Sequence, residues 1–446
     1  MALRKRRCNH RGDICEGFVA VAADGARFPI ALDPDWSETG MMTVPRLGHV
    51  VQALSNGLVL LAGGVNGTTY LDSAELYDFR SRTFAATGTM TRKRFSHLGS
   101  LMPSGRVLVT GGSDGVTWGN TTAEIYAPVN GTWSAAPSSV SPHGRGQVTL
   151  LLDGTVLAAG GFDGSDPIAA AERFDERGGG AWNSAGAMPS KHYLGYALRL
   201  PDGKVMVAGG ASALQGVVES SDAAIYDPAK GTWSATGAMK NARYCGAAAV
   251  LADGRVAVFG GGRTVNNATQ AFNDSEVWDP AKGTWSTIPS LPGTPRFVML
   301  AALLGNGTVI VPGGEQTAPA VDLQDVPTYD PKGNAWSAGP ILKNVHGPWK
   351  GAFLPSGELL LTGGSAIMAN GMGPLSVATA ETLPQDLDGP DVIEALRPVV
   401  MNPPATAKAG DEVSLTGTGF RGHGTAIGGA DCTPTAVSDV PVVTLT

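Results

Sequence analysis

The chain has 446 residues, a net charge of −7 and only 16% charged residues, alongside 62 glycines and 30 prolines. That balance speaks against nucleic acid as a partner, since the one dense basic run is Arg4, Lys5, Arg6 and Arg7. No apolar stretch approaches the roughly 20 residues of a membrane-spanning helix, and the length suits one large domain or several small ones. The four cysteines, Cys8, Cys15, Cys245 and Cys432, match no zinc-ligand spacing. They read as free thiols, although Cys8 and Cys15 could pair in an oxidising compartment.

Taken in order, residues 1–32 read as an N-terminal lead. MALRKRR is basic, but Asp13 and Glu16 follow where an apolar core should stand, so a signal peptide is not expected. Residues 33–42, DPDWSETGMM, match the strand at DPAKGTWSATGAM later in the chain, yet no sister strands precede them. From there one unit recurs with a period of about 50 residues. Its hairpin glycines are Gly57, Gly105, Gly154, Gly203, Gly254, Gly307 and Gly357. Each is followed by a short apolar run and a Gly-Gly pair, as in Val205–Ala208 and Gly209-Gly210. An apolar run of that length predicts a strand covered on both faces. Asp202-Gly203 predicts a type I′ turn, in which both central residues take positive φ. Paired aromatics close each unit: Tyr77 and Phe84, Tyr126 and Trp133, Phe174 and Trp182, Tyr226 and Trp233, Trp278 and Trp285, Tyr329 and Trp336. Such rings are expected to fill the widening gap between sheets. The last unit reaches Ala380-Glu381-Thr382-Leu383 and then lacks a fourth strand. The Trp36 strand should supply it, closing a ring and hiding two sheet edges.

Four strands per repeat, the Gly-Gly pairs and the spaced aromatics resemble the kelch-repeat family over roughly 350 residues. The resemblance implies an all-β fold: a seven-bladed kelch β-propeller over residues 33–384, closed by strand 33–42. Residues 385–397 read as a linker. The stretch GDEVSLTGTGF within 398–446 resembles the opening strands of the immunoglobulin-like modules that trail some bacterial propellers. A full sandwich needs ~100 residues, so only a partial immunoglobulin-like module is expected at the C-terminus. This composition and trailing module fit a secreted or cell-surface bacterial protein.

Longer loops follow each Gly-Gly pair, and function usually lives on such loops. Eleven residues before each hairpin glycine stands a base: Arg46, Arg94, His143, His192, Arg243, Arg296 and His346. His49, His97 and Trp349 stand three residues beyond in blades 1, 2 and 7. These ten are the ligand-binding candidates, a basic collar suited to an acidic partner. The competing structural reading pairs the bases with Glu75, Glu124, Glu172, Glu276 and Glu381 between blades. Kelch relatives bind partner proteins through arginines of this loop region, which points to Arg46, Arg94, Arg243 and Arg296. The reading is therefore non-catalytic binding of a protein or glycan, with no catalytic residue, cofactor or metal assigned.

The alternative is a copper radical oxidase, because galactose oxidase is also a seven-bladed kelch propeller. Its chemistry needs histidine ligands for copper and a tyrosyl radical crosslinked to cysteine. His143, His192, His346, Tyr193, Tyr244 and Cys245 lie near the long-loop face, but the family's Tyr-His dipeptide is absent and Cys245 adjoins Tyr244. His423 alone would come from the trailing module. A sialidase-type Asp-box at Asp227–Trp233 has the wrong spacing.

Overall fold

The computed structural model describes residues 35–213, 218–266, 268–317, 320–344, 347, 350–366, 375–384, 399–401, 416–418 and 427–428. Seven antiparallel sheets follow one another as the blades of a propeller, innermost strand first. The inner strands are Val50–Ala53, Leu98–Leu101, Gln147–Leu150, Tyr196–Arg199, Ala247–Val250, Leu300–Leu303 and Lys350–Phe353. Blade 4 shows the plan: Tyr196–Arg199, Val205–Ala208, Ala223–Asp227 and Thr232–Ala235 pair in that order. Val205–Ala208 is buried throughout, because a blade's second strand has a neighbouring blade on each face.

The ring closes as a seam between distant parts of the chain. Ser37–Glu38 pairs with Ala380–Leu383, Ser37 opposite Thr382 and Glu38 opposite Glu381. Trp36 is only 1% exposed and packs with Leu300, Ile310, Val326, Leu359, Leu361 and Leu383. It thus fills the gap between blades 6 and 7. The other rim aromatics act in the same way. Tyr226 stacks tilted on Trp233 at 5.0 Å, and the Trp233 indole donates to the Ala185 carbonyl of the preceding blade at 3.0 Å. Trp133, Trp182, Trp285 and Trp336 make equivalent bonds to Gly88, Pro137, Gly237 and Pro289.

The inner hairpins differ from the expected type I′ turn. Gly203 has φ +83° while Asp202 stays at negative φ, and the Gly203 amide donates to the Leu200 carbonyl. Each hairpin is therefore a type I turn ending on one left-handed glycine, so only one position demands glycine.

The N-terminal lead, the linker and most of the expected immunoglobulin-like module lie outside the described residues. Within that last region Val399–Met401 pairs with Thr416–Thr418. Ile427–Gly428 pairs with Leu300–Ala301, adding a fifth strand at the inner edge of blade 6.

Because Trp36 is a fully packed aromatic at the closing seam, Trp36→Ala should cost about 3–5 kcal/mol. Urea unfolding would measure it. A loss below about 1 kcal/mol would show that the seam does not depend on this side chain.

Candidate functional site

The loops entering the inner strands and the loops after the Gly-Gly pairs meet at one end of the propeller, tied by bridges such as Tyr193 to Ala211 and Phe297 to Glu315. The repeated bases sit at this end, but inside it. Arg46, Arg94, His143, His192, Arg243 and Arg296 are all 0% exposed. Each directs its side chain into its own blade. Arg46 donates to the carbonyls of Gly63 and Ser73 at 2.9 and 2.8 Å and to Glu75 at 2.9 Å. Arg94 does the same with Gly111, Thr122 and Glu124. Arg243 does so with Gly260, Asp274 and Glu276. His143 and His192 carry the proton on Nδ1, since each donates it to a glycine carbonyl, Gly160 or Gly209, at 2.7 Å. His143 also lies 3.5 Å from Glu172.

The acid partner varies for reasons legible in the third strands. Blade 4 has Ala224 in the glutamate slot and its base is His192, whose pKa burial pushes down, so that no buried cation needs a carboxylate there. In blade 6 Pro327 fills the slot, and Asp325 reaches Arg296 at 2.6 Å from a half-exposed position. The glutamates also hold loop amides: Glu75 accepts from Thr43 and Val44, Glu172 from Val140 and Ser141. Burial alone would raise Glu172, yet His143 and those two amides hold it down at about 2.

The candidate ligand residues need correcting on this geometry. His49 is buried and bonds Thr362 of blade 7 at 3.1 Å. His97 is buried with its ring against Gly63. Of the ten candidates, His346 and Trp349 lie outside the described residues, and the other eight present no side chain to solvent. The acid–base pairs also lie within blades, not between them. What spans the blades is the base's own backbone. The Arg94 carbonyl accepts from Gly64 of blade 1 at 2.7 Å, and His192, Arg243, Arg296 and Arg46 repeat this with Gly161, Gly210, Gly261 and Gly364. A Cβ on Gly63 would stand 2.6 Å from the Arg94 carbonyl oxygen, so the close approach requires glycine.

A second ring lies two residues beyond the bases. Gly48, Ser96, Arg145, Leu194, Cys245 and Val298 all take left-handed φ between 52° and 64°. The amide of each donates to the carbonyl of the one before, from Ser96 to Gly48 round to Val298 to Cys245. Only backbone that turns sharply at the head of an inner strand makes such a circle around the channel mouth. Arg145 is its one charged member among the described residues. Its guanidinium lies 4.9 Å from the Trp118 ring centre, 5.6 Å from Phe95 and 5.9 Å from Tyr193. Nη1 donates to the Tyr193 hydroxyl at 2.7 Å and Nε to Ser96 Oγ at 3.3 Å. The aromatics continue edge to face from Tyr70 through Phe95 and Trp118 to Phe162, which meets Tyr193 tilted at 53°. Sequence reasoning missed this cluster. Its only sign is the base–aromatic dipeptide at Arg94-Phe95 and His192-Tyr193, while Trp118 and Phe162 come from loops with no fixed spacing.

Three further features complete this face. Cys245 is in a disulfide, contrary to the free-thiol reading. The Tyr196 hydroxyl is buried, accepts from the Gly246 amide at 3.0 Å, and burial pushes its pKa to about 12. Glu315 stands opposite Asp322 in the blade 6 ribbon, where burial and the Asp322 charge raise its pKa to about 7. A cavity of about 590 Å³ lies on the opposite, short-turn face between blades 4 and 5. Its Asp202 and Asp227 are already paired with Lys204 and Lys230.

Compared with known proteins, residues 243–292 match the Kelch motif. No curated protein matches the chain. Among solved structures, a fungal alcohol oxidase of the AA5 family, in complex with copper, superposes with a TM-score of 0.65 at 16% identity. The match covers 91% of this chain and 89% of that one, and at this identity it speaks to the fold alone.

Removing a base should strand a buried carboxylate. Arg94→Ala and Arg243→Ala are each expected to cost about 3–5 kcal/mol in denaturant unfolding, and Arg296→Ala less because Asp325 can hydrate. Equal losses in all three would contradict the burial argument. Glu315 supplies a pH test. Its folded pKa lies above the ordinary 4.5, so the folded chain holds the proton more tightly than the unfolded chain. Stability from this group therefore falls as pH rises from about 4.5 to about 7 and is level above. The melting temperature of Glu315→Gln relative to wild type should climb over that window and then plateau. A flat difference would mean that the ionised carboxylate is accommodated without cost.

Proposed function

We propose that this seven-bladed kelch-motif propeller is a non-catalytic binding protein that engages a protein partner through its long-loop face. The observation that carries the reading is the cluster at the channel mouth, where Arg145 stands half-buried among Phe95, Trp118 and Tyr193. Aromatic and arginine side chains held by a rigid frame are what binding hot spots are made of. The disulfide at Cys245 suits an oxidising compartment and supports an extracellular setting.

The likeness to a copper-bound alcohol oxidase raises a second reading, which depends on the donors at this face. His143 and His192 are fully buried in their own blades, where their Nε2 atoms face Glu172 at 3.5 Å and Ser190 at 3.1 Å. Tyr193 accepts from Arg145, and Tyr244 shares a hydrogen bond with Thr269 at 2.7 Å. The Cys245 sulfur is held in its disulfide. Among the described residues no three histidine, cysteine or acidic side chains form a metal-ligating group. The described residues therefore do not fit a copper radical centre.

A Cu(II) titration followed by electron paramagnetic resonance, with peroxide detection on primary alcohols, separates the two readings. Weak non-stoichiometric copper and no peroxide are expected. One tightly held copper per chain with alcohol-dependent peroxide would replace the binding reading with the oxidase one.

A further inference from the structure

We propose that Cys245 is bonded to Cys432, and that this disulfide latches the C-terminal segment of the chain to the long-loop mouth of its own channel. The inference goes beyond the binding reading and stands without it. Cys245 is 3% exposed and sits in the left-handed ring at the mouth, with its sulfur in a disulfide. Within the chain its partner must be Cys8, Cys15 or Cys432. One described strand decides among them. Ile427–Gly428 pairs antiparallel with the inner strand of blade 6, Leu300 opposite Gly428 and Ala301 opposite Ile427. An antiparallel partner runs against its neighbour, so the direction of the chain at Gly428 is past Met299 toward Val298, which is toward the mouth. There the Val298 amide donates to the Cys245 carbonyl, and the two side chains share a small buried cluster with Tyr244. Cys432 follows Gly428 by four residues. Four residues span at most ~14 Å, whereas Leu300 to Val298 is two strand steps, ~7 Å. The reach suffices with length to spare. No described strand leads from Cys8 or Cys15 toward the ring, and the assignment leaves those two to pair with one another.

The channel wall explains why such a tie is needed. The innermost strand of a blade has no sister strand on its inner edge, so a row of backbone N–H and C=O groups faces the channel. Ile427–Gly428 takes up that edge in blade 6 and lies against the inner strands of blades 5 and 7 as well. A two-residue pairing is marginal by itself. A covalent bond close to its end supports it, because a tethered segment that leaves the edge stays near enough to return. The same bond makes the arrangement conditional on redox state. Exchange with a dithiol breaks the S–S bond, returns both sulfurs as thiols and oxidises the dithiol to its own disulfide. The latch is then open, and the inner edge of blade 6 can trade its strand partner for water.

The test uses the full chain, folded in a glutathione redox buffer. Non-reducing proteolysis with mass spectrometry should return one crosslink joining the Cys245 peptide to the Cys432 peptide. Amide hydrogen exchange then reads the latch. In wild type, protection over Leu300–Ala301 should fall at least about tenfold when dithiothreitol is added, while Val205–Ala208 in blade 4 stays protected. Cys432→Ser should show that loss without reductant, and its Cys245 should become an alkylatable thiol. A chain carrying both Cys8→Ser and Cys15→Ser should keep the crosslink and the protection, which separates this bond from any other that dithiothreitol opens. A crosslink from Cys245 to Cys8 or Cys15, or an alkylatable Cys245 in the oxidised wild type, would overturn the assignment. The expected crosslink with exchange over Leu300–Ala301 unmoved by reduction would overturn the latch.

Discussion

Everything in this propeller depends on one residue per blade that faces two ways. In the six blades whose base is described, that base sends its side chain into its own blade, onto the first glycine carbonyl of the Gly-Gly pair. In five of these six its backbone carbonyl meanwhile accepts from the second glycine of the blade before. The staple needs a long or flat donor, because it must cross the top of the blade, and it needs glycine opposite, because a Cβ would collide. Where the donor is arginine, a buried charge results and a carboxylate must follow it in. At His192 burial keeps the ring neutral and Ala224 fills the slot, whereas His143 retains Glu172 beside it.

This frame explains why chemistry-bearing residues abound while little chemistry is exposed. Histidines, arginines and a tyrosine with pKa near 12 are spent on holding backbone. Such groups resemble an active site in any inventory of residue types, and their perturbed pKa values add to the likeness. Burial separates the two cases: a structural pair satisfies itself, whereas a site leaves a group turned outward. At the channel mouth Arg145 stands half-buried among aromatic rings, placed by the same left-handed turn that precedes the inner strands of blades 1, 2, 4, 5 and 6.

Much of the fold was legible because the sequence repeats. Gly203 and its six counterparts mark turns that only positive φ permits, and the Gly-Gly pairs mark backbone contacts that exclude a side chain. Trp36 announced the closing seam because its surroundings copy a fourth strand that had no blade of its own. The hairpin type was misread, since a glycine signals positive φ at its own position and says nothing of its neighbour. The disulfide at Cys245 was likewise beyond reach, because spacing carries no information on which cysteines meet in space.

By itself the sequence determined the repeat, the strand count per blade, the register of the glycines and the existence of a base at one position throughout. These are local properties, set by allowed φ, by apolar runs and by period. Only the tertiary structure decided which way the bases face. The same seven letters would suit a solvent-facing collar or a set of buried staples, and the choice rests on a few ångströms between Arg94 and the glycine carbonyl of its own blade. Nor could spacing reveal the cage around Arg145. Phe95, Trp118 and Tyr193 belong to three different loops, and they converge on one guanidinium because ring closure fixes the angle between successive blades.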